Sequence, residues 1–173
     1  MPWRKALTFD GYMTEEELIW LYTQAQKMRS IIEIGSWCGR STYVLCTGCK
    51  GPVYAIDHFK GSEEHQGRIE RGFNPRTHFD LNLKDFNNVV VPYMSSEEAS
   101  KSNLIPNEVD MVFIDGAHDT ESVRTDLKLW APRARKLVCG HDICEGRVKT
   151  AVEEIYPHFE SINNLRVWKQ EIV

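Results

Sequence analysis

At 173 residues and 20.0 kDa, with 42% hydrophobic and 27% charged residues, the chain has the size and composition of one globular domain, which excludes disorder, collagen-like repeats and a coiled coil. Twenty-one Lys and Arg against twenty-five Asp and Glu give a net charge of −4, so the overall field favours neither nucleic acid nor an anionic membrane, and a small molecule is the expected partner. The longest apolar run, Leu18 to Tyr22, is too short to span a bilayer, and no basic-then-apolar leader precedes it, so a cytoplasmic protein is expected.

Thr14 to Glu17 is a capping-box pattern, followed at helical spacing by Leu18, Leu21, Tyr22, Ala25 and Met28. Short β-prone runs then alternate with helical ones. The strands are expected at Ile31 to Ile34, Val53 to Ile56, Val89 to Tyr93, Val109 to Ile114 and Leu137 to Cys139; the helices at 40–48, 76–86, 96–103, 120–130 and 147–156. Such alternation implies a single α/β domain over residues 1–173, a Rossmann-like, doubly wound and mostly parallel sheet with right-handed crossovers. Phe159 to Ile162 and Arg166 to Val173, separated by Asn163-Asn164, are expected to close the sheet as an antiparallel hairpin. The polar stretch from Phe59 to Phe79, with Gly61, Gly67, Gly72 and Pro75 and no clear period, reads as a long loop or lid. Its Lys60, His65, Arg68, Arg71 and Arg76 are either a solvated face or contacts for an anionic or polyhydroxylated ligand.

Five cysteines, an odd number, favour reduced thiols. Cys46-x-x-Cys49, and Cys139 and Cys144 around His141, admit a zinc site. Cys46 in an apolar helical stretch and Cys139 at a strand end are better read as small hydrophobes.

Ligands of such sheets bind at the carboxyl ends of the strands. The first of these loops, Glu33 to Ser41, does not fit a Walker A loop, because three residues separate Gly35 from Gly39 and Arg40 stands in the lysine position. Nor does it fit a dinucleotide fingerprint, which would put Trp37 and Arg40 where glycines let a pyrophosphate approach. Asp57 ends the second predicted strand where such folds place a ribose-binding carboxylate. A glycine turn without room for phosphates, followed by a ribose carboxylate, suggests S-adenosylmethionine.

The loop Glu33-Ile-Gly-Ser-Trp-Cys-Gly-Arg-Ser41, the run from Ile56 to His65, Phe113-Ile-Asp-Gly-Ala-His118 and Gly140-His141-Asp142 resemble class I S-adenosylmethionine-dependent methyltransferases, more narrowly the branch with the macrocin-type sugar O-methyltransferases. The resemblance covers residues 30 to 170. Arg135-Lys136 and Cys139 depart from it where the family more often has a Pro-Gly-Gly turn, and no extra N-terminal domain is expected. The resemblance implies that Glu33, Gly35, Ser36, Gly39 and Ser41 line the methionine end of the cofactor, that Asp57 holds the ribose and that Ser95 lies near the adenine. Ser95 is equally readable as a helix cap.

Asp115, His118, His141 and Asp142 follow the fourth and fifth predicted strands and can converge at the same edge. Asp115 and Asp142 suit a hard divalent cation such as Mg²⁺, with His141 a further ligand or a support for one. An aliphatic hydroxyl is a poor nucleophile; a cation lowers its pKa, and His118 is the natural general base. The expected activity is metal-assisted O-methylation of a small hydroxylated acceptor, plausibly a sugar, by an enzyme that could be a homo-oligomer. A metal-dependent hydrolase using His118, His141 and Asp142, and a non-catalytic binding module on the same fold, are the alternatives. Trp37 either packs over the ligand or fills the core. Acceptor choice is expected to rest on the 59–79 segment, on the residues before Thr14, or on a partner subunit.

Overall fold

The computed structural model describes residues 1–62 and 65–172. Glu63 and Glu64, which belong to the expected lid and to the Ile56 to His65 run, and Val173, the end of the last expected strand, lie outside the described residues. Among the described residues seven strands form one sheet: β1 (Ile31–Ile34), β2 (Val53–Ile56), β3 (Val89–Val90), β4 (Val109–Ile114), β5 (Ala134–Gly140), β6 (Glu160–Ser161) and β7 (Trp168–Glu171). Their order is β3-β2-β1-β4-β5-β7-β6. β1 to β5 run parallel, whereas β7 pairs antiparallel with both β5 and β6.

The apolar runs of β1 and β4 are continuous because both faces of the sheet are covered. Ile31, Val53, Met111 and Phe113 face a core built with α1 (Glu15–Ala25), α2 (Arg40–Gly48) and α4 (Pro75–Leu83). Ile32, Ile34, Val112 and Ile114 face the second core, with α5 (Ser96–Ser100), α6 (Thr120–Trp130) and α7 (Gly146–Ile155). The first core also takes in a 3₁₀ turn, Pro2–Thr8, whose Trp3 is fully buried. Burial of that indole contributes roughly 3 kcal/mol toward docking the N-terminal segment.

The capping box forms as expected: Thr14 Oγ1 accepts from the Glu17 N–H at 3.3 Å, and Glu17 Oε2 accepts from the Thr14 N–H at 2.7 Å. The expected long loop does not survive. Residues Gln66–Glu70 form α3, and α4 begins at Pro75 with Asn74 as its N-cap, accepting from the Thr77 N–H at 3.1 Å. Phe79 and Leu83, four apart on α4, are buried and anchor this segment to the core. The third strand ends at Val90, since Pro92 cannot donate to a ladder and Tyr93 has φ +54°. The fifth is longer than expected. Arg135 pairs with Glu108 and Lys136 Nζ lies 2.9 Å from Asp110, so these residues extend the strand at the edge remote from the ligand loops.

Candidate active site

Strand order reverses between β1 and β4, and the carboxyl ends there open a cleft of about 590 Å³. That volume suits a small-molecule ligand. Gly35 closes the gap between the two strand-end loops. Its φ is +86°, and a Cβ there would sit 2.3 Å from the Asp115 carbonyl oxygen. Gly39, at φ +85°, is the N-cap of α2, and a Cβ on it would strike Leu83 at 2.4 Å. Gly35 is demanded by packing between the two strand-end loops, and Gly39, behind the cleft wall, by packing of the first loop on α4.

Glu33 also lies behind that wall, fully buried, with Oε2 accepting from the hydroxyls of Ser36 at 2.8 Å and Thr42. Burial pushes its carboxyl up to about 7 against the opposing hydroxyls of Ser41, Thr42 and Ser36. Ser36 and Ser41 line the cleft, so Glu33 orients the loop from beneath. Asp57 faces the cleft and holds the same loop from the front. Its Oδ2 accepts from the N–H groups of Ser36 at 2.9 Å and Trp37 at 2.8 Å, and its Oδ1 from that of Phe59 at 2.6 Å.

Across the cleft, Asp115, His118 and Asp142 each offer one ligand atom, all within 4.8 Å of one another. His118 Nε2 lies 3.0 Å from Asp142 Oδ2, and Arg166 Nη1 donates to Asp142 Oδ1 at 3.0 Å. His141 does not join this set. Its buried ring sits between carboxylates, Nδ1 at 3.5 Å from Asp115 and 3.3 Å from Asp142, Nε2 at 3.1 Å from Glu17 of α1. The cysteines contribute no metal group among the described residues: Cys46, Cys49 and Cys139 are buried thiols raised by desolvation.

Burial opposes the charge of His141, but Asp115 foremost, then Asp142 and Glu17, hold it above the usual imidazole range. Burial likewise opposes ionisation of Glu17 and Asp142, yet His141 and the N–H groups of Thr14 and Arg166 depress Glu17, while His118 and His141 depress Asp142. A depressed carboxyl stabilises the fold above its unfolded pKa, 4.5 for Glu17 and 3.8 for Asp142, and that contribution is lost as pH falls. A raised imidazole stabilises fully below 6.5 and is lost as pH rises through its folded value. The cluster's contribution is therefore greatest between pH 4.5 and 6.5. In chelator-treated protein, the thermal midpoint of the wild type relative to Glu17→Gln is expected to be largest in that window; a difference independent of pH would refute the cluster's charged state.

The N-terminal segment roofs the cleft. Asp10 pairs with Arg68 of α3 and accepts from Trp37 Nε1 at 3.0 Å; Trp37 stacks on His65 at 4.0 Å between ring centroids, and Tyr12 Oη lies 3.1 Å from His65 Nε2. Trp37 thus lines the cleft beneath this roof. Arg40 is spent on the carbonyls of Leu7, Phe9 and Met13. Ser95 also lines the cleft and is the N-cap of α5, in a capping box with Glu98. Two groups there were not singled out from the sequence: Ser96, and Asp126 of α6, to which the Ser96 hydroxyl donates. Asp126 carried a signal, a carboxylate among Val123, Leu127 and Trp130 on one helical stripe. Burial pushes it up to about 6, against the Ser96 hydroxyl and with help from Asp119 and Glu97.

A parallel sheet with a carboxylate after its second strand and an acid–imidazole cluster at its switch point defines a nucleoside-binding α/β enzyme. A family model described as a methyltransferase domain matches residues 32–143. The chain belongs to this family and is an S-adenosylmethionine-dependent methyltransferase. The fold is similar to that of an O-methyltransferase from Bacillus cereus solved with S-adenosylhomocysteine, at TM-score 0.68 and 15% identity over 99% of this chain and 90% of that one. It is also similar to a Podospora anserina methyltransferase with S-adenosylhomocysteine bound, at 0.71 and 11% over 98% and 85%. The N-methyltransferase NodS from Bradyrhizobium japonicum gives 0.59 and 12% over 91% and 93%, so this architecture carries transfer to different atoms.

Proposed function

We propose that the cleft performs O-methylation of a small, neutral, polyhydroxylated acceptor of the sugar class, with a divalent cation such as Mg²⁺. One observation carries this reading: Asp57 and the Asp115–His118–Asp142 set stand on opposite sides of one cleft at the strand ends. Asp57 keeps acceptor capacity at Oδ1 for a ribose hydroxyl, and the N–H-anchored loop of Ser36 and Trp37 bounds the methionine end.

The Asp115 and Asp142 carboxylates fit a hard divalent cation in donor chemistry, with one oxygen of each and a ring nitrogen of His118 within 4.8 Å of one another. Asp115 and Asp142 would hold it, and when bound it would lower the pKa of an acceptor hydroxyl. His118, oriented by Asp142, is the base that removes the hydroxyl proton. His141 and Arg166 fix Asp142 from the other side. Transfer forms a bond from the anionic oxygen to the methyl carbon as the bond from that carbon to the sulfonium sulfur breaks, leaving an ether and a neutral thioether, so the Asp10–Arg68 roof over Trp37 serves by excluding water.

Charge supports the choice of acceptor. Among the described residues, the cleft is lined by Asp10, Asp57, Glu97, Asp115, Asp119, Glu121, Asp126 and Asp142 against one Lys or Arg, the committed Arg40. Of the basic residues expected to bind an anion, Arg68 is paired with Asp10, and Arg76 lies 3.8 Å from Asp80 and over the Tyr93 ring. Among the described residues lining the cleft, no uncommitted Lys or Arg is offered to a phosphorylated or otherwise anionic acceptor. The free cysteines suit a reducing, cytoplasmic compartment, which fractionation of the source cells tests.

Calorimetric titration with S-adenosylhomocysteine tests the cofactor side: Asp57→Ala is expected to weaken binding about tenfold or more, as loss of hydrogen bonds to a charged group does. Unchanged affinity would remove Asp57 from the ribose site. Turnover of neutral polyols that persists in chelator would refute the metal assignment while leaving the transferase intact.

A further inference from the structure

Among the described residues lining the cleft, Tyr12 is the one large apolar side chain left exposed, at 57%. Its backbone is nevertheless pinned. Arg166 Nη2 donates to the Tyr12 carbonyl at 2.7 Å, and the carbonyls of Phe9 and Met13 on either side accept from Arg40 Nε at 3.1 Å and Nη1 at 2.8 Å. The ring is thus presented to solvent from a fixed segment, which leaves little freedom to be lost when a ligand meets it. Arg166 also donates from Nη1 to Asp142 Oδ1 at 3.0 Å, so one guanidinium joins Tyr12 to the metal-capable set. The phenol has a fixed polarity. The Ser62 N–H donates to His65 Nδ1 at 3.2 Å, and the Ser62 hydroxyl lies 2.7 Å from the same nitrogen, so Nδ1 is the acceptor of a neutral ring whose proton sits on Nε2. That N–H donates to Tyr12 Oη at 3.1 Å. Tyr12 Oη therefore accepts from His65, and its own proton, which has no acceptor among the described residues, is left for a ligand.

We propose that Tyr12 determines acceptor specificity by donating its phenol proton to a second oxygen of the acceptor, other than the one that is methylated. The inference rests on reading the cleft as an O-methyltransferase site for a polyhydroxylated acceptor whose reacting hydroxyl meets His118. A phenol already accepting from an imidazole N–H pairs with any ligand oxygen that carries a lone pair, a hydroxyl or an ether, and gains nothing from a methylene. The acceptor class is therefore a diol or polyol, with one oxygen for the chemistry and one for Tyr12, and an analogue lacking the second oxygen leaves the phenol proton unpaired.

The test is methyl-transfer kinetics of the full chain, with radiolabelled S-adenosylmethionine and Mg²⁺, on methyl glucopyranoside, galactopyranoside and mannopyranoside and on the monodeoxy analogues of each. For the sugar turned over best, one deoxy analogue that still reacts is expected to show kcat/KM lower by about two- to tenfold, the loss of one hydrogen bond between neutral groups. Tyr12→Phe, which keeps the exposed ring, is expected to show the same loss on the parent sugar, carried by KM, and no further loss on that analogue. Its affinity for S-adenosylhomocysteine by calorimetry is expected to equal that of the wild type. A Tyr12→Phe protein that matches the wild type on every sugar overturns the proposal while the transferase reading stands, as does one whose loss is equal on the parent and on all analogues. A fall in S-adenosylhomocysteine affinity by the same factor makes Tyr12 a support of the roof and likewise overturns it. A wild type that binds S-adenosylhomocysteine and methylates none of the sugars overturns the sugar reading and the proposal with it.

Discussion

Replacing His118 by alanine is expected to lower kcat by about 10²- to 10⁴-fold, the range for removal of a general base. Cofactor affinity should be unchanged, because His118 lies on the Asp142 side of the cleft and Asp57 on the other. The rate of the wild type should rise with pH as the base deprotonates, and the variant should lose that limb. Steady-state kinetics over pH with a neutral polyol acceptor checks both statements. Loss of Mg²⁺ affinity alongside the rate would make the imidazole a ligand and contradict the base assignment; an unchanged kcat would exclude it from the chemistry.

The second large effect is structural. In Gly35→Ala the new methyl would stand 2.3 Å from the Asp115 carbonyl oxygen and 2.4 Å from Gly116 Cα, and the residue would be held at φ +86°. Backbone atoms cannot swing aside as a side chain does, so β1 and β4 must part at their carboxyl ends. Left-handed strain and overpacking together are expected to cost about 2–5 kcal/mol. Urea unfolding should show a lower midpoint, and S-adenosylhomocysteine binding should be lost with it, since the separation falls between Asp57 and Asp115. A variant with wild-type stability would show that the loops yield easily.

Much of the fold was legible because its signals are local. Apolar runs such as Ile31 to Ile34 and Val109 to Ile114 mark buried parallel strands, and the Thr14 capping box and the stripe over 120–130 mark helices. The 59–79 segment misled because its helices are short and its apolar anchors sparse. Asn74 and Pro75 did announce the start of α4, but its hold on the core depends on Phe79 and Leu83 meeting Gly39, a contact across 40 residues or more of chain.

The site was legible in membership more than in roles. Loop position alone brings Asp57, Asp115, His118 and Asp142 to the strand ends. What sequence could not reveal is which atoms face which neighbour. Glu17, on a helix far upstream, encloses His141, whose ring is therefore packed among carboxylates rather than offered to the metal-capable set. Of the first-loop glycines expected to line the methionine end, Gly35 borders the cleft and also packs against Asp115 and Gly116, whereas Gly39 packs against Leu83 and Phe79 behind the cleft wall. Asp126 went unremarked because its meaning depends on Ser96, thirty positions earlier.

The most direct test of cofactor and cation sharing one cleft is a crystal structure of the chain with S-adenosylhomocysteine and Mn²⁺, the ion located by its anomalous signal. The expected result is ribose density on Asp57 and a manganese peak at the Asp115 and Asp142 carboxylates. A nucleoside seated elsewhere, or an ordered nucleoside with no manganese at those carboxylates, would contradict it.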